Sequence, residues 1–143
     1  MKSLTQRRAR IARVRKIEHA RASASAAEAE GRVIVLEEHS SRLHRLATDL
    51  TPSAGSMFGA ALSNAGELAQ RLRDARTGLA DAISGAKASA LESSLARIEA
   101  RIRQESADRL EVQAQAQLNE AMERRRETPF RTRVRNRGFG DIS

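Results

Sequence analysis

Few residues of this chain have the types and spacing that catalysis or metal binding requires. The three histidines are His19, His39 and His44. The five-residue spacing of His39 and His44 does not stack their side chains on one helical face, which argues against a metal-binding pair. The segment 55–59 contains glycine and serine but lacks the lysine and the spacing of a P-loop. Because the chain has no cysteine, thiolate metal sites and cysteine nucleophiles are excluded. We therefore predict no catalytic residue, no metal site, no cofactor and no enzymatic activity.

Charge is the more informative property of the chain. It has 26 basic and 18 acidic side chains, a net charge of +8 over 143 residues. The excess of basic residues lies in Met1–Arg21 and Arg124–Arg137, and the sequence between them is mildly acidic. Such basic segments favour an acidic partner, which can be a protein surface, a nucleic acid or anionic lipid.

The composition predicts an all-α fold, a long two-helix antiparallel coiled-coil hairpin. Helix-forming residues dominate, and only 2% of the residues are aromatic, which argues against a sandwich, a barrel or a doubly wound sheet. Pro52 and Pro129 are the only prolines, and each is expected to end a helix. We predict one domain over residues 1–143, with a first helix over about 4–50, a turn over 51–56, a second helix over about 57–127 and a flexible basic tail over 128–143.

Heptad spacing predicts which side of each helix is apolar. In the second helix, the positions predicted to form the seam are Phe58, Ala65, Leu72, Leu79 and Ala86, with Ala61, Leu68, Ala75 and Ala82 three residues further on. The predicted seam then changes phase, first to Leu91, Leu95, Ile98 and Ile102, and later to Leu110, Ala114, Leu118 and Ala121. In the first helix, the predicted stripe begins with Leu4, Ile11 and Val14 and continues through an alanine-rich stretch to Ala29. It resumes with Leu36, Leu43 and Leu50, with Leu46 between them.

Two features bear on localisation. No apolar run approaches the roughly 20 residues of a membrane-spanning helix. The basic opening segment is not followed by an apolar stretch, so it does not have the pattern of a secretory signal. We expect the protein in the cytoplasm.

The layout of the chain resembles the FliJ family, the flagellar type III export proteins, which are similar to their injectisome counterparts. The resemblance rests on two long predicted helices with basic ends, on the opening segment Leu4–Ile11, and on the segment Phe58–Ala65 soon after the turn. It implies a hairpin similar to the coiled coil of the ATP synthase gamma subunit. It also implies a non-enzymatic part in bacterial flagellum biogenesis and motility, at the inner face of the cell membrane.

The partners implied by the resemblance are the flagellar export ATPase, the cytoplasmic domain of the export gate, and export chaperones, with no small-molecule substrate. The residues expected to dock the ATPase are Arg7, Arg8, Arg10, Arg13, Arg124, Arg125 and Arg126. The residues that could dock the export gate are Phe58, Leu62, Ala65 and Ala69, which follow one helical stripe. That stripe has two interpretations, a docking face or part of the hairpin core. The alternative functions are a basic coiled coil that binds nucleic acid and a scaffold protein.

Overall fold

The computed structural model describes residues 2–50 and 59–137, and the side chains of residue 60 and of residues 129–137 are not described. Helix α1 spans Lys2–Asp49 and helix α2 spans Gly59–Arg137. No strand occurs in the described part of the chain. The two helices pack against each other, so the predicted all-α helical hairpin is confirmed. The predicted turn over 51–56 lies outside the described residues.

The C-terminal boundary of α2 differs from the prediction. We expected the helix to end near residue 127, before Pro129, but α2 continues to Arg137. A proline inside a helix removes one backbone hydrogen bond and costs about 3 kcal/mol, a local penalty that the following turns can absorb. One carbonyl near the proline has a side-chain donor, because the Thr128 hydroxyl donates to the Arg124 carbonyl oxygen over 2.6 Å. Residues 128–137 are therefore helical, and the rest of the predicted tail lies outside the described residues.

The chain divides into two compact units, each containing part of both helices. The first comprises Met1–Ala20 and Glu99–Ser143, and the second is Arg21–Ile98. In sequence, the second unit has nine basic and nine acidic residues, whereas the first has seventeen basic and nine acidic residues. The first, here called the basic unit, thus holds the entire net charge of +8, and the second is called the neutral unit.

In the neutral unit, two polar contacts between the helices define their direction. The Lys87 Nζ lies 3.3 Å from the Glu37 Oε1, and the Arg76 Nη1 lies 2.8 Å from the His44 Nδ1. A later position on α1 thus contacts an earlier position on α2, so the two helices of this unit are antiparallel.

Alanine forms the tightest part of the packing between the helices. The buried apolar residues of the described chain are Ala12, Ala26, Ala29, Ala107 and Ala114. On α2, half-buried positions recur at Ala65, Ala69, Leu72, Leu79, Ile83, Ala86, Ala90 and Ser93 in the neutral unit, and at Ala100, Gln104, Glu111, Leu118 and Ala121 in the basic unit. These positions keep one heptad phase along the helix, with spacings of three and four or their sum.

The seam prediction was therefore partly wrong. Ala65, Leu72, Leu79 and Ala86 do face α1, and so do Ala114, Leu118 and Ala121. The predicted positions Leu36, Leu43 and Leu50 are half-buried, whereas Leu46 is 52% exposed. The predicted positions that are instead exposed are Ala61, Leu68, Ala75, Ala82, Leu91, Leu95, Ile98, Ile102 and Leu110 on α2, and Leu4, Ile11 and Val14 on α1. Small side chains allow two helix backbones to approach closely, so a face that is rich in alanine can pack inward while larger apolar residues stay exposed.

Candidate interaction surfaces

The seven arginines predicted to dock the ATPase all belong to the basic unit. Arg7, Arg10 and Arg13 are exposed on α1, and Arg8 is half-buried. On α2, the consecutive side chains of residues 124–126 are exposed, and the Arg124 Nη2 lies 3.7 Å from the Glu120 Oε2. The fold brings together two basic segments that are more than a hundred positions apart in the sequence.

A shallow cleft in the basic unit shows this convergence directly. It has a volume of about 450 Å³ and is lined by Lys2 from α1 and by Leu118, Ala121, Met122, Arg125 and Arg126 from α2. The start of α1 therefore lies beside Arg125 and Arg126 of α2. Lys2 adds a cation that the sequence reasoning did not include, because only the register of the two helices places it there.

The charges of α1 in this unit are largely uncompensated. Glu18 is its single acid over residues 2–20, and it is paired with Arg15, with a distance of 2.9 Å between Oε2 and Nη1. Among the side chains that the structure describes, Arg7, Arg10 and Arg13 make no ion pair. Their guanidinium groups remain available to an external carboxylate or phosphate, which arginine can bind in a bidentate geometry.

The residues predicted to dock the export gate lie in the neutral unit, apart from Phe58, which falls outside the described residues. Leu62 is 48% exposed, whereas Ala65 and Ala69 are half-buried against α1. Each of the two interpretations of this stripe, hairpin core or docking face, thus fits different residues of it. The alanines belong to the hairpin seam, and Leu62 remains accessible at its edge.

Leu62, Ala65 and Ala69 share a cleft of about 520 Å³ that sequence reasoning did not reveal. Its apolar wall is completed by Ala47 near the end of α1 and by Leu50, which follows the helix. His44, Arg73 and Arg76 supply its polar lining. His44 and Arg76 are 32 positions apart, so no local motif could have indicated that they meet.

The hydrogen bonds around this cleft fix its polar groups. The Arg76 guanidinium, which can only donate hydrogen bonds, lies with its Nη1 2.8 Å from the His44 Nδ1. Arg73 donates through its Nε to the Ala69 carbonyl over 3.4 Å. Neither arginine is paired with a carboxylate in the part of the chain that the structure describes. The cleft therefore combines an apolar wall with two uncompensated cations.

The described residues offer few other kinds of site. Within residues 2–50 and 59–137, no three histidine, cysteine or carboxylate side chains converge as metal ligands would. Neither helix, over its described residues, contains an apolar stretch long enough to cross a bilayer. Comparison with protein-family models, curated proteins and solved structures finds no match to this chain.

Proposed function

We propose that this chain is a non-enzymatic component of a flagellar type III protein export apparatus. In this proposal it links the export ATPase ring to the membrane export gate and assists export chaperones and their substrates. The protein then acts in the cytoplasm, at the inner face of the cell membrane. The observation that carries the proposal is the concentration of the whole net charge of +8 in one unit, built from the early part of α1 and the late part of α2.

The basic unit is suited to an acidic protein surface such as the lining of a ring. Each exposed ion pair contributes only about 0–1 kcal/mol, so a single contact is weak. Several arginines that point outward from one unit can add their contributions. Their attraction falls as the Debye length decreases from about 10 Å at 0.1 M salt to about 3 Å at 1 M. Docking of this kind should be strongly dependent on salt.

The triple variant Arg7→Glu, Arg10→Glu, Arg13→Glu tests the docking of the basic unit. This variant should lose the ability to stimulate a cognate export ATPase, because three unpaired cations become anions that face the acidic residues of the ATPase. Steady-state ATP hydrolysis at low salt measures the loss. A matched control makes the same charge change at the exposed arginines of the neutral unit, Arg42, Arg45 and Arg71, and should stimulate like the parent chain.

The same variant discriminates the alternative function. Uncompensated arginines also suit phosphate groups, so binding of a mixed-sequence DNA duplex is the second candidate. If the triple variant retains ATPase stimulation but loses a tight affinity for duplex DNA, the nucleic-acid function replaces the export function. Circular dichroism of each variant checks that the helices remain folded.

A second expected result concerns Leu62 and the export gate. Leu62→Ser should weaken binding to the cytoplasmic domain of the gate by about tenfold or more, a loss of at least about 1.4 kcal/mol, because the apolar wall of the cleft is reduced. The melting temperature should change little, since the side chain is already 48% exposed in the hairpin.

The chain offers a matched control for this variant. Leu68 is 46% exposed on the same helix but does not line the cleft. Leu68→Ser should therefore leave gate binding unchanged in a titration by isothermal calorimetry. Equal losses in the two variants would contradict a specific contribution of the cleft to docking.

A further inference from the structure

Three large apolar side chains of the neutral unit are exposed close together on α2, on the side away from α1. Leu91, Leu95 and Ile98 are 64%, 59% and 48% exposed. Their spacing of four and three residues places them on one helical face. Ala86 and Ala90, by contrast, are half-buried positions just before them on the same helix. The two leucines and the isoleucine thus form an outer apolar face, defined here as Leu91, Leu95 and Ile98.

The outer apolar face has the pattern of a second coiled-coil seam. In heptad notation, Leu91 and Ile98 occupy d positions and Leu95 occupies the a position between them. Contiguous exposed apolar residues of this kind mark an interaction site more often than isolated ones do. The inner seam of this hairpin is built mainly from alanine, so its burial does not use these larger side chains.

The charges that flank the outer apolar face indicate which partner fits it. Lys87 occupies the g position before Leu91, and Glu92 occupies the e position after it. In a parallel two-stranded coiled coil, a g residue faces the e residue five positions later on the other chain, and opposite charges there set partner choice and orientation. Lys87 of one copy would therefore face Glu92 of a second copy, twice by symmetry.

An antiparallel pairing of the same face is disfavoured by charge. In that arrangement, g positions face g positions and e positions face e positions. The next charged g residue along α2 is Arg101, and the next e residue is Glu99. In the antiparallel register that packs Leu91 of one copy on Leu95 of the other, Lys87 would face Arg101 of the second copy, and the two Glu92 side chains would face each other. Like charges opposite each other destabilise a pairing.

Both flanking groups can reach a second chain. Glu92 is exposed and has no ion pair with any described residue. Lys87 lies 3.3 Å from Glu37, with 61% of its side chain exposed, and its ammonium group has three donors, so it can bind a second carboxylate.

We propose that the outer apolar face binds a second copy of this chain, with the two α2 helices parallel and in register. The two-fold axis then runs along the α2 helices, Leu95 packs on its own equivalent, and α1 of each copy lies on the far side of its α2. This proposal rests on the face of α2 alone and does not depend on the export function.

Sedimentation equilibrium of the full chain tests the proposal. We expect association to a mass of two chains within about 10 µM to 1 mM, the range of a weak interface. Leu95→Gln should lower the association constant by about tenfold or more. Ile34→Gln, which changes a residue that is 56% exposed on α1, is the matched control and should associate like the parent. A single-chain mass at every concentration, or equal losses in the two variants, would overturn the proposal.

A charge exchange tests the parallel register. Glu92→Lys and Lys87→Glu should each weaken self-association, because each places like charges at both g-to-e contacts. An equimolar mixture should recover association, since the two cations of one variant at positions 87 and 92 then face the two anions of the other. Recovery supports the parallel arrangement, and its absence overturns it. Circular dichroism distinguishes lost pairing from lost folding, which matters for Lys87→Glu because Glu37 lies beside it.

Discussion

Replacing Ala26 by leucine should lower the stability of the hairpin, although it adds apolar surface to a coiled-coil seam. Ala26 is 1% exposed, the lowest value among the buried residues. A leucine there must push the two backbones apart or adopt a strained rotamer. Overpacking of this kind costs about 1–3 kcal/mol, which corresponds to a fall of roughly 3–10 °C in Tm for a chain of this size. Thermal unfolding followed by circular dichroism measures the fall.

The neighbouring alanine provides the control for this substitution. Ala27 belongs to the same helix but is exposed, so Ala27→Leu makes the same chemical change without entering the seam. Leucine and alanine both favour helix, and Ala27→Leu should leave Tm nearly unchanged. If Ala26→Leu melted at or above the parent temperature, the alanine seam would not be closely packed. The outer positions of α2 would then have to be reconsidered as the true seam.

The extent of the helices could be predicted from the sequence because it depends mostly on local chemistry. The predicted first helix over about 4–50 corresponds to α1, Lys2–Asp49. The predicted start near 57 lies close to the first helical residue, Gly59. The predicted end of α2 was wrong because Pro129 was treated as an absolute stop. Its penalty of about 3 kcal/mol is finite, and the helix continues beyond it.

The choice of packing face could not be read from one helix alone. Leu91, Leu95 and Ile98 were predicted for the seam because a pattern based on hydrophobicity favours the largest apolar residues. The inward face also depends on what α1 presents, and α1 presents small residues such as Ala26 and Ala29 in the neutral unit. Two alanine faces can approach more closely than a leucine face and an alanine face. The heptad rule therefore selected the wrong side of α2 between Leu91 and Leu110, where the predicted positions are exposed.

The two candidate surfaces also differ in how well the sequence could predict them. The basic residues of the ATPase-docking prediction could be identified from charge alone, because an arginine on a helix stays at least partly exposed in nearly any register. The cleft that includes Leu62 depends on His44 and Arg76, which meet only when the antiparallel register is known. Local sequence therefore predicts surfaces on one segment better than sites built from two.

Substituting four glycines by alanine should raise stability by more than any other change considered for this chain. Gly31, Gly66, Gly78 and Gly85 all lie inside helices and have no positive φ. A Cβ added at each would meet no heavy atom within 4 Å beyond the local helix backbone. Alanine is more favourable than glycine in a helix interior by about 0.8–1 kcal/mol. The sites are at least about 10 Å apart along each helix, so their effects should add to about 3–4 kcal/mol.

Thermal unfolding of the fourfold variant should show a rise in Tm of roughly 10 °C. Gly59 is the control, because it is the first residue of α2, and the propensity difference between alanine and glycine applies to helix interiors. Gly59→Ala should therefore bring no gain, although it too has open space around it. A rise in the fourfold variant that Gly59→Ala does not share would locate the weakness of the helices in their interiors. An unchanged Tm would show that the glycine positions do not limit the stability of the fold.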